Sequence, residues 1–355
     1  MSERASIIRR SFLEQADLCE QFGSPFTARL IRVLEGVLNL DSMTGRAVLS
    51  WEGPPEANGD ALALRLCGAL HALILGHQDA ELAAIYPPNE AASENMFRAT
   101  LLQAIDRNDA ELVKWLKLAP QTNEVGRSSL LFLGLLEISR IYRQPLRLFE
   151  IGSSAGLNLA LDHYGYDFGG ARFGDTDSAL QLEPEWSGPS PADGSVRVEE
   201  RRGCDLSPIN LATDRIRLQS YVWPDQKERH QRLVAAIDIA QKLDLTIDQM
   251  DADSWVKEHI REHRPSGRTT VLMHSLTYCY LRPDSKEAIA HHMESLGNMA
   301  RNDHPLAWLG FELNDDNQPE LTLQTWPIGE KRLIAKAHPH GRWIDFREAH
   351  EVLLA

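Results

Sequence analysis

The chain has 355 residues, 43% hydrophobic and 25% charged, an ordinary globular composition with room for one large domain or two smaller ones. Its formal net charge of -14 counts against a generic phosphate-backbone binder, so no nucleic-acid partner is expected. Four scattered cysteines (Cys19, Cys67, Cys204, Cys279) read as reduced packing residues, and without a membrane-length apolar run or an export signal the expectation is a cytoplasmic protein with no membrane partner.

Residues 1–144 read as an all-helical N-terminal domain or cap. Apolar residues recur at three- and four-residue spacing over 2–22, 25–38, 60–75, 80–86, 91–104, 109–117 and 128–142. Gly23-Ser24-Pro25, Gly53-Pro54-Pro55, Pro87-Pro88-Asn89 and Pro120 separate these runs, and Asp109 is placed to cap the helix it opens. Residues 145–355 alternate strand and helix, which predicts an α/β domain with a mostly parallel, Rossmann-like sheet. Strands are predicted at 146–151, 196–205, 245–250, 269–274, 306–313, 321–327, 332–337 and 342–346, and helices at 157–164, 227–242, 253–263 and 284–300. The stretch 165–193 is too long for a plain connection and predicts an inserted hairpin or lid near 165–195.

The turn Glu150-Ile151-Gly152-Ser153-Ser154-Ala155-Gly156 is the most informative segment. Its glycines allow close backbone approach, and the N–H groups of a following helix would face an anionic group. One reading is the first motif of a class I S-adenosylmethionine methyltransferase, acidic-x-Gly-x-Gly-x-Gly, with Ser154 in place of the middle glycine. Three later segments fit that reading in order: Gly203-Cys204-Asp205, Met250-Asp251-Ala252, and Thr270 to Ser275. An aspartate at the second strand end can accept both ribose hydroxyl protons. A plain tight turn, with Asp205 starting another turn and Asp251 capping a helix, explains the same residues. A nucleophile elbow, Gly152-x-Ser154-x-Gly156 with His338 or His340 downstream, is a further reading, but the strands such a hydrolase needs before its elbow are missing. A dinucleotide fingerprint fits less well, because Ser154 and Leu157 fill glycine positions.

Other polar segments are candidates for the same cleft. Gln121 to Arg127 lies between apolar helical runs, as a helix cap supplied by Thr122 or Asn123 or as a polar cluster. Trp223 and Arg229 could line a pocket, though Pro224 and Asp225 also make a plain helix start. His274 and Tyr278 follow the predicted fourth strand, where substrate-facing groups sit in methyltransferases. His259-x-x-Glu262-His263 matches an inverted zinc-protease pattern but occupies a terminal turn, so no metal site is expected there, nor from His338 and His340 alone.

Together, Ser24-Pro25-Phe26, Tyr86-Pro87, Gln121 to Arg127, Glu150 to Leu159, Arg202 to Pro208, Trp223-Pro224-Asp225-Gln226 with Arg229, and His338 to Trp343 resemble an uncharacterised bacterial domain-of-unknown-function family over nearly the whole chain. The resemblance implies a methyltransferase-like C-terminal fold with a helical N-terminal extension, and carries over no reaction. The resulting expectation is an S-adenosyl-L-methionine-dependent methyltransferase acting on a small molecule. Glu150, Gly152, Ser153, Gly156, Asp205 and Asp251 would hold the cofactor; Asn123, Arg127, Trp223 and Arg229 would meet substrate; His274, Tyr278 and Glu124 are the acid–base candidates. The alternative is a catalytically inactive, methyltransferase-shaped binding or scaffolding protein, with a serine hydrolase using Ser154 behind both.

Overall fold

The computed structural model describes residues 3–89 and 93–347. Ser2, Ala91 and Ala92, at the starts of two predicted helices, lie outside them. The chain forms two compact units, Met1–Thr122 with Thr213–Val234 and Asn123–Ala212 with Ala235–Ala355. This division differs from one at residue 144. The helix Ser128–Tyr142 has the helical period of the runs before it, but it packs on the sheet and belongs with it.

The second unit is built on strands β1 (Leu146–Ile151), β2 (Gly165–Phe168), β3 (Ala171–Gly174), β4 (Gln181–Leu182), β5 (Glu185–Ser187), β6 (Val198–Asp205), β7 (Thr246–Gln249), β8 (Thr269–Ser275), β9 (Leu306–Leu313), β10 (Pro319–Trp326), β11 (Lys331–Ala337) and β12 (Trp343–Phe346). A nine-stranded sheet has the order β5-β12-β11-β10-β9-β8-β1-β6-β7. The run β7-β6-β1-β8-β9 is parallel, and β9 to β12 form an antiparallel meander. β8 is buried at every position, as expected of a central parallel strand covered on both faces. Phe149 and Ile151 enter a core with Trp255, Leu272, Ile289 and Met293. Strand alternation turns Leu148 and Glu150 to the other face. Winding proceeds outward from β1 in one direction to β6 and β7 and in the other to β8 and β9, so the carboxyl ends of β1 and β8 flank a topological switch point.

The predicted insertion is an ordered element: β2, β3 and β4 make a separate three-stranded sheet, and β5 extends the large sheet beside β12. The predicted helix after β1 is instead a 3-10 segment, Leu157–His163. Side-chain donors take its carbonyls: Tyr164 Oη donates to Leu157 O at 2.6 Å, Arg201 Nη1 to Leu159 O at 2.9 Å and Tyr166 Oη to Leu161 O at 2.6 Å.

The first unit packs helices Glu3–Gln21, Pro25–Val37, Met43–Leu49, Leu62–Leu75, Ala80–Ala84, Glu94–Arg107 and Asp109–Leu116 with Arg215–Ser220. Ile8, Phe12, Leu34, Leu66, Leu70 and Phe97 form its core. Asp109 is not the expected cap. Asn108 holds that position, and Asp109 instead accepts the Met43 and Thr44 N–H groups at 2.7 and 2.6 Å, fixing the start of a helix the periodicity did not reveal. Gly68 lets the Tyr221 ring rest on helix Leu62–Leu75, where a Cβ would lie 2.5 Å from Cε1.

Candidate functional site

The turn after β1 places Gly152, Ser154 and Gly156 in the left-handed region, at φ of 67°, 54° and 76°. Glycine enters that region freely, whereas serine pays roughly 1 kcal/mol. The donors expected to face a ligand are engaged within the protein. Ser153 N–H donates to Cys204 O at 3.0 Å and Gly156 N–H to Ser153 O at 2.7 Å. Ser154 N–H donates to Asp205 Oδ2 at 2.9 Å, and Leu157 N–H to Asn123 Oδ1 at 2.8 Å. Asp205 Oδ1 accepts the Ser207 N–H at 2.8 Å, so this half-buried carboxylate braces the turn from the end of β6. Over Gly152, Thr277 occupies the space of a side chain; a Cβ there would lie 2.1 Å from its Cγ2.

Beneath the turn is a buried polar chain. Ser128 Oγ donates to Asn158 Oδ1 at 2.8 Å, and Asn158 Nδ2 donates to Glu150 Oε1 at 3.4 Å. Burial pushes the Glu150 carboxyl up to about 8; the Asn158 bond and Arg127 oppose the shift, and Asp205 adds to it. Glu150 Oε2 and Ser154 Oγ are buried with no hydrogen-bond partner.

The loop after β8 is organised by Glu312 on β9. Its Oε1 accepts from His274 Nδ1 at 2.8 Å and from the Thr277 and Tyr278 N–H groups at 2.9 Å, and its Oε2 accepts the Cys279 N–H at 3.2 Å. Burial alone would raise this carboxyl, but His274 and the two main-chain donors outweigh it and hold the group below its ordinary value. Trp308 Nε1 donates to His274 Nε2 at 2.9 Å, which assigns the imidazole hydrogen to Nδ1. Gly310 makes room for this ring, since a Cβ would lie 2.7 Å from Cε1. Leu276, at φ 47°, turns the chain out of the strand.

These contacts engage two of the acid–base candidates. The His274 lone pair accepts the Trp308 indole hydrogen, so both ring nitrogens are engaged within the protein. Tyr278 stacks on it at 5.0 Å and donates its hydroxyl hydrogen to Lys286 O at 2.7 Å. Burial, then the Glu312 charge, pushes the Tyr278 hydroxyl up to about 12. Glu124 caps the short 3-10 turn Val125–Arg127 by accepting the Gly126 N–H at 3.1 Å.

Arg127 binds two loops, donating from Nε to Pro339 O at 2.9 Å and from Nη1 to Ser275 O at 3.1 Å. Gly126 and Gly341 approach back to back, each with a backbone oxygen of the opposite loop within 2.3 Å of where a Cβ would stand. Asn123, Glu124, Arg127, Glu150, Gly152, Ser153, Gly156, Asp205, His274 and Tyr278 are therefore assembled at the carboxyl edge of β1, β6 and β8. Asp251 lies at the neighbouring β7 exit, exposed, at the N-cap of Ala252–His259 without a cap hydrogen bond.

Trp223 and Arg229 belong to the helical unit. There the Trp223-Pro224-Asp225-Gln226 segment works as a fastening. Asp225 accepts from Ser24 Oγ and, at 2.9 Å, from the Phe26 N–H, which joins two of the family-like segments. The elbow reading meets its own obstacle, because Ser154 Oγ has no histidine partner. The zinc-protease pattern is split, since its helix ends at His259. Among the described residues no group of His, Cys, Asp and Glu is arranged to hold a metal ion.

Glu312, Thr277, Asn158 and Ser128 were not among the predicted site residues. Glu312 and Asn158 left a signal, each a polar residue inside an otherwise apolar strand or turn run. No helix is long and apolar enough to cross a membrane among the described residues. Cys19, Cys67 and Cys204 are buried free thiols and Cys279 is an exposed one.

No curated protein and no solved structure matched the chain. Residues 9–346 match a family described as an uncharacterized protein conserved in bacteria, DUF2332. With nearly its whole length matched, from the first helix to the last strand, the chain belongs to that family.

Proposed function

We propose that this protein is an S-adenosylmethionine-dependent methyltransferase acting on a small molecule, with the adenosyl group at the carboxyl ends of β1, β6 and β7. One observation carries the reading. A left-handed Gly152-Ser153-Ser154-Ala155-Gly156 turn stands at the switch point of the sheet, with an acidic residue before it and Asp205 at the next strand end. Ser154 keeps the backbone conformation a glycine would give, so its presence does not reroute the turn.

The residues at hand fit an adenosyl group. Asp205 uses one acceptor site on each oxygen for Ser154 and Ser207, which leaves a second on each for a ribose diol. Leu206, 67% exposed, offers apolar surface to a purine beside that carboxylate. Asp251 supplies an acceptor one strand further on, and the orphaned Ser154 Oγ is a polar atom lacking a partner at the turn. When bound, the cofactor supplies an electrophilic methyl group. The protein's own part is placement: Asp205 and Asp251 orient the nucleoside, and Glu312 holds Thr277 over Gly152. With the His274 lone pair and the Tyr278 hydrogen engaged, the acceptor would be one that is nucleophilic without deprotonation by either.

A second reading, a methyltransferase-shaped binding protein, is favoured by Thr277 filling the space over Gly152 and by the internal engagement of the turn's N–H groups. Calorimetry with S-adenosylmethionine and S-adenosylhomocysteine separates the two. Saturable heat that is lost in Asp205→Asn supports the enzyme; no heat and no thermal shift from either compound leaves the binding protein.

A further inference from the structure

We infer that the helical unit carries a second ligand site, for a free zwitterionic α-amino acid with an apolar side chain. This site does not depend on the methyltransferase reading. A cavity of about 420 Å³ opens where helix Asp109–Leu116 and its exit meet Thr213 to Arg217. That volume lies within the range of small-molecule sites, about 300–1,000 Å³. Trp115, Leu118 and Ile216 supply an apolar wall, with Ile216 40% exposed.

The charges of this cavity point to the ligand class. Lys114 and Glu111 pair at 2.8 Å and neutralise each other. Asp214 and Arg217, three residues apart, do not pair. Asp214 stands at the N-cap of Arg215–Ser220 without making a cap hydrogen bond. Arg217 contacts the Tyr221 hydroxyl, which itself donates to Leu118 O at 3.1 Å, and its buried Nε has no hydrogen-bond partner. Among the described residues, neither charge has an ion-pair partner. One anion and one cation lining the same cavity suit a ligand whose ammonium and carboxylate share a single carbon. A simple anion or a simple amine would answer only one of them. The side chain of such a ligand would lie against Trp115 and Ile216, where burial of apolar area adds affinity.

Isothermal titration of the full chain with L-leucine and L-phenylalanine tests the site, alongside N-acetyl-L-phenylalanine and L-phenylalanine methyl ester, each lacking one charge. The expected result is saturable heat from a free amino acid, weaker by about tenfold or more for both blocked forms and for Asp214→Asn and Arg217→Gln. Thermal unfolding without ligand checks that each variant folds. If Arg217→Gln does not fold, Asp214→Asn and the blocked ligands decide alone. No heat from either amino acid in the millimolar range, equal binding of the blocked forms, or unchanged affinity in Asp214→Asn would each overturn the inference.

Discussion

Two loops leave the sheet side by side, after β1 and after β8, and each is braced by a carboxylate from the strand beyond it. Each also contains a non-glycine residue in the left-handed region, Ser154 or Leu276. The carboxylates differ in how far they are used. Glu312 takes three main-chain N–H groups and an imidazole, while half-buried Asp205 takes two N–H groups. A carboxylate whose acceptor sites are filled from within the protein is a structural part. One with acceptor capacity left at an open strand end can also meet a ligand. That difference separates the two sides of the switch point, and of the two carboxylates only Asp205 was singled out from the sequence.

The largest expected effect comes from removing the saturated anchor. Glu312→Ala leaves several donors without an acceptor, and we expect a loss of about 3 kcal/mol in chemical denaturation. Glu312→Gln, which keeps one acceptor oxygen, should lose less. An unchanged denaturation midpoint in the alanine variant would mean that the β8 loop does not depend on this carboxylate.

Glu150 gives the next effect, a pH dependence. Its folded value, about 8, is raised above the ordinary 4.5, so the folded chain keeps a proton that the unfolded chain has released. The stabilising contribution is fully present below pH 4.5 and is lost as pH rises towards 8. Stability should therefore fall through this window. Glu150→Gln should flatten that part of the curve, and an identical slope in the variant would show that Glu150 does not titrate there.

Asp205→Asn probes the other carboxylate. The amide oxygen can still brace the Ser154 N–H, so stability should change by less than about 1 kcal/mol. Binding of S-adenosylmethionine should weaken at least about tenfold, because an amide has fewer acceptor sites for a ribose diol. A large stability loss with no change in binding would place Asp205 in the structural class with Glu312.

Much of this arrangement was legible in the sequence. β1, β9 and the helix Ser128–Tyr142 fall at the boundaries their apolar patterns predict, and the segments 123–127, 150–158, 203–208 and 338–341 meet in one unit. The misses have physical causes. The run 157–164 has a helical period, but side-chain donors captured its carbonyls, a tertiary effect that periodicity does not report. The contacts of His274, near the end of β8, were also hidden from the sequence. Its partners, Trp308 and Glu312, lie more than 30 residues away and become neighbours only through the β8–β9 pairing. Asp225, read from the sequence with Pro224 as a plain helix start, also ties that start to the one at Ser24 and Phe26, a long-range contact the local pattern does not report.

The smallest effect is the most discriminating for the β1 turn. Ser154→Gly relieves a left-handed serine, worth roughly 1 kcal/mol, and removes a buried hydroxyl that has no partner, also worth about 1 kcal/mol. Against this stands the extra freedom glycine gives the unfolded chain, about 0.4–1 kcal/mol. The sum favours the variant by about 1 kcal/mol, read as a modest rise in melting temperature of the ligand-free protein. A serine that costs stability is informative if it earns its place elsewhere, so the same variant should bind S-adenosylmethionine less tightly. A glycine variant that is both more stable and equally good at binding would leave the strain at Ser154 without a role in the proposed site.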